Sequence, residues 1–303
     1  EEHRAQGRHG SCGVGFGETL ERHSYPEYAL AFIDLKDRIF LRGQLEKIRG
    51  EWLPRRLRGL GIDDISPAWQ DRIYSGRIFD WFLDQAKDFV DAVTPSSVEI
   101  LTKSRVVVFE GAQGLLLDQT YGWFPHVTRS NTGIKNALEL AKDADINDIR
   151  ATYITRAYNT RHGAGPMQHE IGNKPYAGIH DATNIYNEYQ GGLRFGWLDL
   201  DQLAASIHYD VRHAYGKIRF SHRLAITCVD QVDEDVSFVQ NGQIVTEDIP
   251  SFLNAAMEAT GVREALVSRG PTRRDVSLQK IYSEKAVLSH AFRYGMERMS
   301  ANA

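Results

Sequence analysis

Cysteine is nearly absent: Cys12 and Cys228 are the only two in 303 residues. They lie far apart in unlike contexts, so neither a disulfide framework nor a metal-ligand pair is expected, and both read as free thiols. No apolar run approaches the length needed to cross a bilayer, and no charged-then-apolar leader opens the sequence; a soluble, cytoplasmic protein with no membrane partner is expected. Net charge is only −4, which gives nucleic-acid binding no support from bulk electrostatics. Arg49, Arg55, Arg56 and Arg58 do form a basic run, but acidic residues surround it and no aromatic ladder accompanies it. It reads as a solvated or subunit-facing surface. A G-x-x-x-x-G-K phosphate loop is also missing from the sequence.

With 42% hydrophobic residues the chain can bury a sizeable core, either as one large domain or as a main domain with an excursion. The stretch around which it is organised is RVVVFEGAQGLLLDQTYGWFPHVTRSN, Arg105 to Asn131. Val106 to Phe109 is a continuous apolar, β-rich run of the kind buried on both faces of a parallel sheet. Glu110 and Gln113 then fall at the carboxyl end of that expected strand, where ligands bind in open α/β sheets, and Gly111 and Gly114 would let backbone approach a ligand closely. Taken alone, the same pattern also fits an ordinary strand-to-helix turn with a surface glutamine.

Upstream, Gly10 to Gly17 reads GSCGVGFG. Its glycines permit the φ > 0 turns that aim successive N–H groups at an anion, although a flexible glycine-rich segment has the same composition. Residues 25–98 are expected to be mostly helical. Phe79, Phe82, Leu83, Ala86, Val90 and Val93 recur at steps of three and four as a core face, and Thr94-Pro95-Ser96-Ser97 ends the run. Ser130-Asn131-Thr132 precedes a helix-like stretch at Ala137 to Ala141 and suits either capping or phosphate binding. Ala151 to Pro166 reads as a strand running into a tight loop. Asn241-Gly242 between apolar runs signals a hairpin, and Val276 to Ala303 reads as a closing helix.

Three motifs agree in order and spacing with one family. FEGAQGLLLD, FPHVTRSNT (Phe124 to Thr132) and TRHGAGP (Thr160 to Pro166) resemble the adenylosuccinate synthetases, in patches from about Gly10 to Arg273. The resemblance implies a single α/β domain over residues 1–303. Its central, mainly parallel sheet would be surrounded by helices in a P-loop-type fold, with residues 25–98 as a helical excursion. It also implies a homodimer and a GTP-dependent ligase that joins L-aspartate to the 6-position of a purine 5′-monophosphate, IMP in most of the family. In two steps, GTP phosphorylates the purine O6 under Mg²⁺ and the aspartate amine displaces phosphate.

The residue roles so implied are as follows. Gln113 is catalytic, positioning the purine edge and stabilising the transition state. Ser11, Cys12, Leu117, Asn131 and Thr132 join it in holding the nucleotide substrate. His162 stands where the family has a valine at the ribose. Arg194 takes a carboxylate of aspartate. Asp230, in a segment resembling TKLDVLD, pairs with the N–H edge of guanine, and Ser268 with Gly270 encloses that base. By local sequence alone, His162 and Asp230 also read as ordinary loop and strand-end residues.

Departures from the family pattern matter too. Val14 stands where the family has an arginine that crosses the dimer to a neighbour's nucleotide phosphate. Cys228 replaces a lysine by the base, and Thr272 replaces an aspartate. In Glu188 to Arg194 only Arg194 keeps its arginine; NEYQGGLRFGWLD looks more like the branch that makes 2-aminoadenylosuccinate from a guanine (deoxy)nucleotide. The family's N-terminal loop, with its aspartate, lysine and later histidine, has no counterpart in the sequence. The chain as it stands is therefore expected to be incomplete for catalysis, with no metal ligand of its own and the Mg²⁺ ligands in that absent segment. The rival reading is a non-catalytic, purine-nucleotide-binding or oligomerising relative.

Overall fold

The computed structural model describes residues 10, 11 and 13–281. The chain divides into two compact units, residues 1–100 and 101–303. The division falls just after the helical stretch that the sequence sets apart. Among the described residues no helix is long and apolar enough to cross a membrane.

The first unit is built from α1 (Phe16–His23), α2 (Arg38–Lys47), α3 (Leu53–Gly59), α4 (Pro67–Tyr74) and α5 (Gly76–Ala92). Asp37 starts α2 by accepting from the N–H groups of Ile39 and Phe40, both at 2.9 Å, which satisfies two of the donors a helix leaves free. Phe79, Leu83 and Ala86 bury one stripe of α5, and Leu83 and Ala86 pack with Leu41 of α2 and with Leu30, Leu35 and Leu45. The expected apolar face of α5 is thus narrower than its sequence period suggested: Phe82 and Val93 are exposed. Arg38 pairs with Asp84 and Arg42 with Asp80, so position rises along α2 as it falls along α5, and the two helices run antiparallel. These exposed pairs contribute about 0–1 kcal/mol each and set orientation more than stability. Most of the basic run is occupied within this unit. Arg49 lies 4.0 Å from the Phe79 ring centroid and Arg55 4.4 Å from that of Tyr25, and Arg56 forks the carboxylate of Glu18 at 2.7 and 3.0 Å.

The second unit contains α6 (Lys135–Asp143), β1 (Asp148–Arg156), β2 (Asn159–His162), β3 (Glu170–Ile171), β4 (Leu193–Gly196), β5 (Leu198–Asp199), α7 (Leu200–Val211), β6 (Arg219–Thr227), β7 (Asp235–Gln240), β8 (Gln243–Asp248), α8 (Ile249–Thr260), β9 (Glu264–Ser268) and β10 (Val276–Lys280). Its main sheet has the order β1-β6-β9-β10. β1, β6 and β9 run parallel and β10 antiparallel, so the architecture is the α/β one that the sequence predicts. Leu224, Ile226, Phe238 and Phe252 are fully buried in a core shared by the sheet, α7 and α8, and each such side chain contributes about 1.5–3 kcal/mol of transfer free energy. Asp199 caps α7 through Gln202 N–H, and Asp248 caps α8 through Ser251 N–H. The hairpin of β7 and β8 turns at Asn241 (φ 53) and Gly242 (φ 72), both left-handed as a two-residue turn requires.

Three expectations are corrected. Val106 to Phe109 is not a strand: no described strand pairs with it, and Val106 and Val108 are 73% and 83% exposed. β-rich composition permits extension, but a strand also needs a neighbour to accept its ladder bonds. Val276–Lys280 forms β10, paired antiparallel with β9, where the closing helix was expected to begin; residues 282–303 of that expected helix lie outside the described residues. Finally, Ser130 to Thr132 do not cap α6 by side chain, because its N-cap position is Ile134.

Candidate functional site

Three groups of the residues singled out from sequence lie in the second unit. The first sits at the carboxyl ends of its parallel strands, the edge at which open α/β sheets bind ligands. β6 ends at Thr227, Cys228 takes a left-handed conformation (φ 61), and a single 3₁₀ turn, Val229–Gln231, carries Asp230. Val229 is buried and the turn packs on β9. Asp230 itself is exposed and accepts no hydrogen bond among the described residues. β9, parallel to β6 with Val267 opposite Ile226, ends at Ser268, whose hydroxyl donates to the Gly270 carbonyl at 2.8 Å. Asp275 braces this turn through the N–H (2.9 Å) and hydroxyl (2.6 Å) of Thr272, and a Cβ on Gly270 would lie 2.8 Å from the Asp275 carboxylate. Asp230, Ser268 and Gly270 therefore belong to turns that leave adjacent strand ends.

The same edge holds residues the sequence reading passed over. Arg156, the last residue of β1, donates to Asp181 at 3.1 Å. Tyr158 donates to Gln231 Oε1 at 2.6 Å, and burial, with Cys228 beside it, pushes its phenol up to about 12. Asp181 Oδ1 accepts from Thr183 N, Thr183 Oγ1 and Asn184 N at 3.0, 2.9 and 2.9 Å. Burial alone would raise this carboxyl, but those bonds and the one from the Asn184 amide hold it well below the usual range.

The second group is the loop from Gly111 to Ile134. Gln113 is exposed in a left-handed conformation (φ 63), which costs a residue with a side chain about 1–3 kcal/mol. Leu117 closes the following 3₁₀ turn, and its carbonyl accepts from Thr128 N–H at 2.8 Å. Asp118 is buried at the centre. Its Oδ1 accepts from Thr120 N (2.8 Å), Thr120 Oγ1 (2.7 Å) and Tyr121 N (3.3 Å), and its Oδ2 from Thr132 N (2.9 Å). Burial works against ionisation here too, and the four bonds outweigh it, so Asp118 is held below its ordinary value. Asn131 accepts from Gln119 at 3.1 Å and donates to Asn136 at 3.0 Å, and the Thr132 hydroxyl donates to the Gly114 carbonyl at 3.0 Å. The expected phosphate donors are thus partly engaged by the loop itself.

Asp210 of α7 secures the far end of this loop. Both its oxygens accept from Ile134 N–H at 3.1 Å, and Oδ2 accepts from the Tyr153 hydroxyl at 2.8 Å. Burial raises its carboxyl above the ordinary value, while the Tyr153 and Ile134 bonds and nearby His213 work the other way.

His213 and His222 are both shifted below 6.5, chiefly by burial, and Nε2 of His213 has no hydrogen-bond partner among the described residues. Lys135, Lys217 and Arg212 add to the shift of His213, whereas Asp210 opposes it. A histidine with a depressed folded value binds fewer protons folded than unfolded. Its contribution is complete above about pH 6.5 and is lost as pH falls through the folded value. The urea midpoint is expected to be lower at about pH 5.5 than at about pH 7.5, and His213→Gln with His222→Gln should flatten the slope. Equal slopes in both proteins would contradict this assignment.

The third group is the hairpin of β2 and β4. Nε2 of His162 lies 3.1 Å from the Gly191 carbonyl, so that nitrogen carries the proton. Arg161 donates to the carbonyls of Ala164 (3.0 Å) and His126 (2.9 Å). Arg194 donates through Nε to Glu170 Oε1 at 2.7 Å, through Nη1 to the carbonyls of Gly163 (3.0 Å) and Gly165 (2.9 Å), and through Nη2 to Glu170 Oε2. The hydrogen bonds between them, helped by their opposite charges and opposed by burial, lower Glu170 and raise Arg194 from their ordinary values.

In the first unit, Gly10, Gly13 and Gly15 all have positive φ (76°, 77° and 80°), Gly15 directly precedes α1, and Ser11 Oγ accepts from Gly13 N–H at 3.2 Å. Cys12 lies outside the described residues. Among the described residues no group of three or more His, Cys, Asp or Glu could hold a metal ion. Asp118, Asp181, Asp210 and Glu170 were missed from sequence. The first two share a legible signal, Asp-x-Thr, in which the carboxylate caps its own following turn.

Comparison with known proteins gives a consistent picture. The adenylosuccinate synthetase family profile matches residues 1–266. The adenylosuccinate synthetase of Clostridium beijerinckii is 28% identical over 236 residues, 65% of this chain and 54% of its own. That of Lactobacillus gasseri is 28% identical over 243 residues, 67% and 56% respectively. The chain thus spans about half the length of the curated relatives it matches. Among solved structures, fully ligated adenylosuccinate synthetase from Plasmodium falciparum superposes with a TM-score of 0.62 at 16% identity, covering 89% of this chain and 70% of that one.

Proposed function

From the premise that the chain belongs to the adenylosuccinate synthetase family, we propose that it is the binding and specificity part of a purine nucleotide ligase. The reaction joins L-aspartate to the 6-position of a purine 5′-monophosphate, with GTP as phosphate donor, in purine biosynthesis. The observation that carries this reading is the placement of Asp230 and of Ser268 with Gly270 at the carboxyl ends of the adjacent parallel strands β6 and β9. A carboxylate there accepts both N–H groups on guanine's pairing edge, whereas adenine presents no such pair of donors. Gln113, exposed at its turn, offers an amide that can donate to and accept from a purine edge and stabilise charge developing at O6. Asn131 and Thr132 flank it on a loop that Asp118 and Asp210 already hold in shape, and Leu117 and His162 are the further nucleotide contacts proposed in the same unit. Mg²⁺ would neutralise charge on the transferred phosphate. Among the described residues no group of three or more His, Cys, Asp or Glu is placed to hold it. The working form is proposed to be a cytoplasmic homodimer.

A second reading, in which the acceptor is GMP or dGMP, is favoured by the turn from Asn187 to Gly191. Asn187 closes it through the N–H groups of Tyr189 (2.8 Å) and Gln190 (3.2 Å), and no guanidinium follows before Arg194.

Calorimetric titration tests both readings. IMP, GMP or dGMP is expected to bind and to bind more weakly to Gln113→Ala. GTP should outbind ATP by roughly 1–3 kcal/mol, a margin that Asp230→Asn should remove. Equal binding of monophosphates by wild type and Gln113→Ala, or no binding, would sink the site assignment, and an ATP preference would refute the guanine pocket. The ranking of the three monophosphates decides between the acceptors.

A further inference from the structure

We propose that Glu170 determines carboxylate affinity at Arg194: it occupies, from within the chain, the seat that a carboxylate of the amino-acid substrate takes, and the substrate binds by exchanging with it. This inference rests on the aspartate-joining reading above.

Arg194 has almost no donor to spare. A guanidinium has five N–H groups. Four on Arg194 are used, two by the Glu170 carboxylate in a fork and two by the Gly163 and Gly165 carbonyls. One N–H is left, too few for a second bidentate carboxylate. The only partner that can be exchanged without moving backbone is Glu170, and its chemistry is that of the ligand: planar, anionic and matched to the fork. The pair is open to water, with side chains 38% and 27% exposed for Glu170 and Arg194. An ion pair at such exposure contributes little to stability, so a change of partner costs the fold little.

The fork would survive the exchange. Nη1 remains tied to Gly163 and Gly165, which keeps the guanidinium plane aimed as it is. Neighbouring Arg161 does not present the edge that Arg194 turns to Glu170, because its Nε already donates to the Ala164 carbonyl and its Nη2 to that of His126. Glu170 stands on the two-residue strand β3, opposite Gly196 of β4, so its backbone stays in place while the side chain swings out.

L-Aspartate, and succinate as a dicarboxylate without the amine, are titrated into wild type, Glu170→Gln and Arg194→Lys, with the purine monophosphate and GTP titrated into the same samples. Glu170→Gln removes the competing charge at constant shape and is expected to bind both carboxylates about tenfold tighter. Arg194→Lys, which loses the fork, is expected to bind neither. If Glu170→Gln does not fold, Glu170→Asp, too short to reach the fork, should show the same tightening. Unchanged or weaker carboxylate binding on changing Glu170, or no carboxylate binding by any form, overturns the proposal. Should nucleotide binding persist in those samples, only the role of Glu170 falls. Absence of nucleotide binding by wild type would count against the ligase reading, while the succinate titration still decides whether Glu170 holds the seat.

Discussion

Asp210→Ala is expected to lower the unfolding free energy by about 3–5 kcal/mol, because two donors that now meet a carboxylate would be left without one. Ile134 N–H bonds both oxygens and the Tyr153 hydroxyl bonds one. Hydrogen bonds to a charged acceptor are worth roughly 1.5–3 kcal/mol each. The site is also sterically closed. A Cβ built on Gly133 would fall 2.0 Å from Asp210 Oδ1 and 2.4 Å from its Cγ, so Gly133→Ala should itself cost several kcal/mol, on the order of other overpacked sites. The double variant is the informative one. Its alanine methyl enters volume that the missing carboxylate vacates, so its loss should fall short of the sum of the singles by more than about 1 kcal/mol. Urea unfolding of the four proteins measures this. Additivity within about 0.5 kcal/mol, or an Asp210→Ala loss below about 1 kcal/mol, would show that the carboxylate does not brace this junction.

Gly165→Ala should cost about 3 kcal/mol. Gly165 has φ +103, which side chains rarely adopt, and an added Cβ would lie 2.6 Å from both Arg161 Nη2 and His126 Cβ. The guanidinium could swing away only by giving up the Ala164 and His126 carbonyls, and a Cβ next to backbone moves less readily still. Gly191 supplies the comparison, with φ +76 and no atom of the described residues within 4 Å of the added one. Gly191→Ala should cost only about 1 kcal/mol of backbone strain. Equal losses at the two positions would mean that the contacts around Gly165 carry no energy.

What the sequence made legible depended on how local the cause was. Asn241-Gly242 specifies its hairpin because the two residues and the turn they adopt are the whole mechanism. The apolar run at Val106 was misread because a strand is completed by a partner elsewhere in the chain, about which a run of valines carries no information. The site divides in the same way. Asp230 and Ser268 were singled out by resemblance to family motifs, and both lie in turns at strand ends. Asp210, by contrast, bonds residues 57 and 76 positions away, and nothing near it in sequence marks it. Asp118 and Asp181 lie between these cases: each is announced by a threonine two residues on, a signal for a capped turn that a motif search for catalytic groups passes over. Arg194 was singled out from sequence, but its partner Glu170, 24 residues away, was not.

The order of strands in the main sheet bears on how the chain comes to be folded. β7 and β8 meet across a two-residue turn and can pair as soon as both exist. The partner of β1 is β6, in a register that joins residues 71 positions apart, Asp148 with Arg219. Contacts so distant in sequence close a long loop before they return any stabilisation, and they form slowly. During synthesis β1 therefore emerges well before its partner has been made. Ile154, 73% exposed even in the folded strand, then lies in an unpaired β-rich segment open to other chains, so the risk of intermolecular pairing is concentrated in the interval between translation of β1 and of β6.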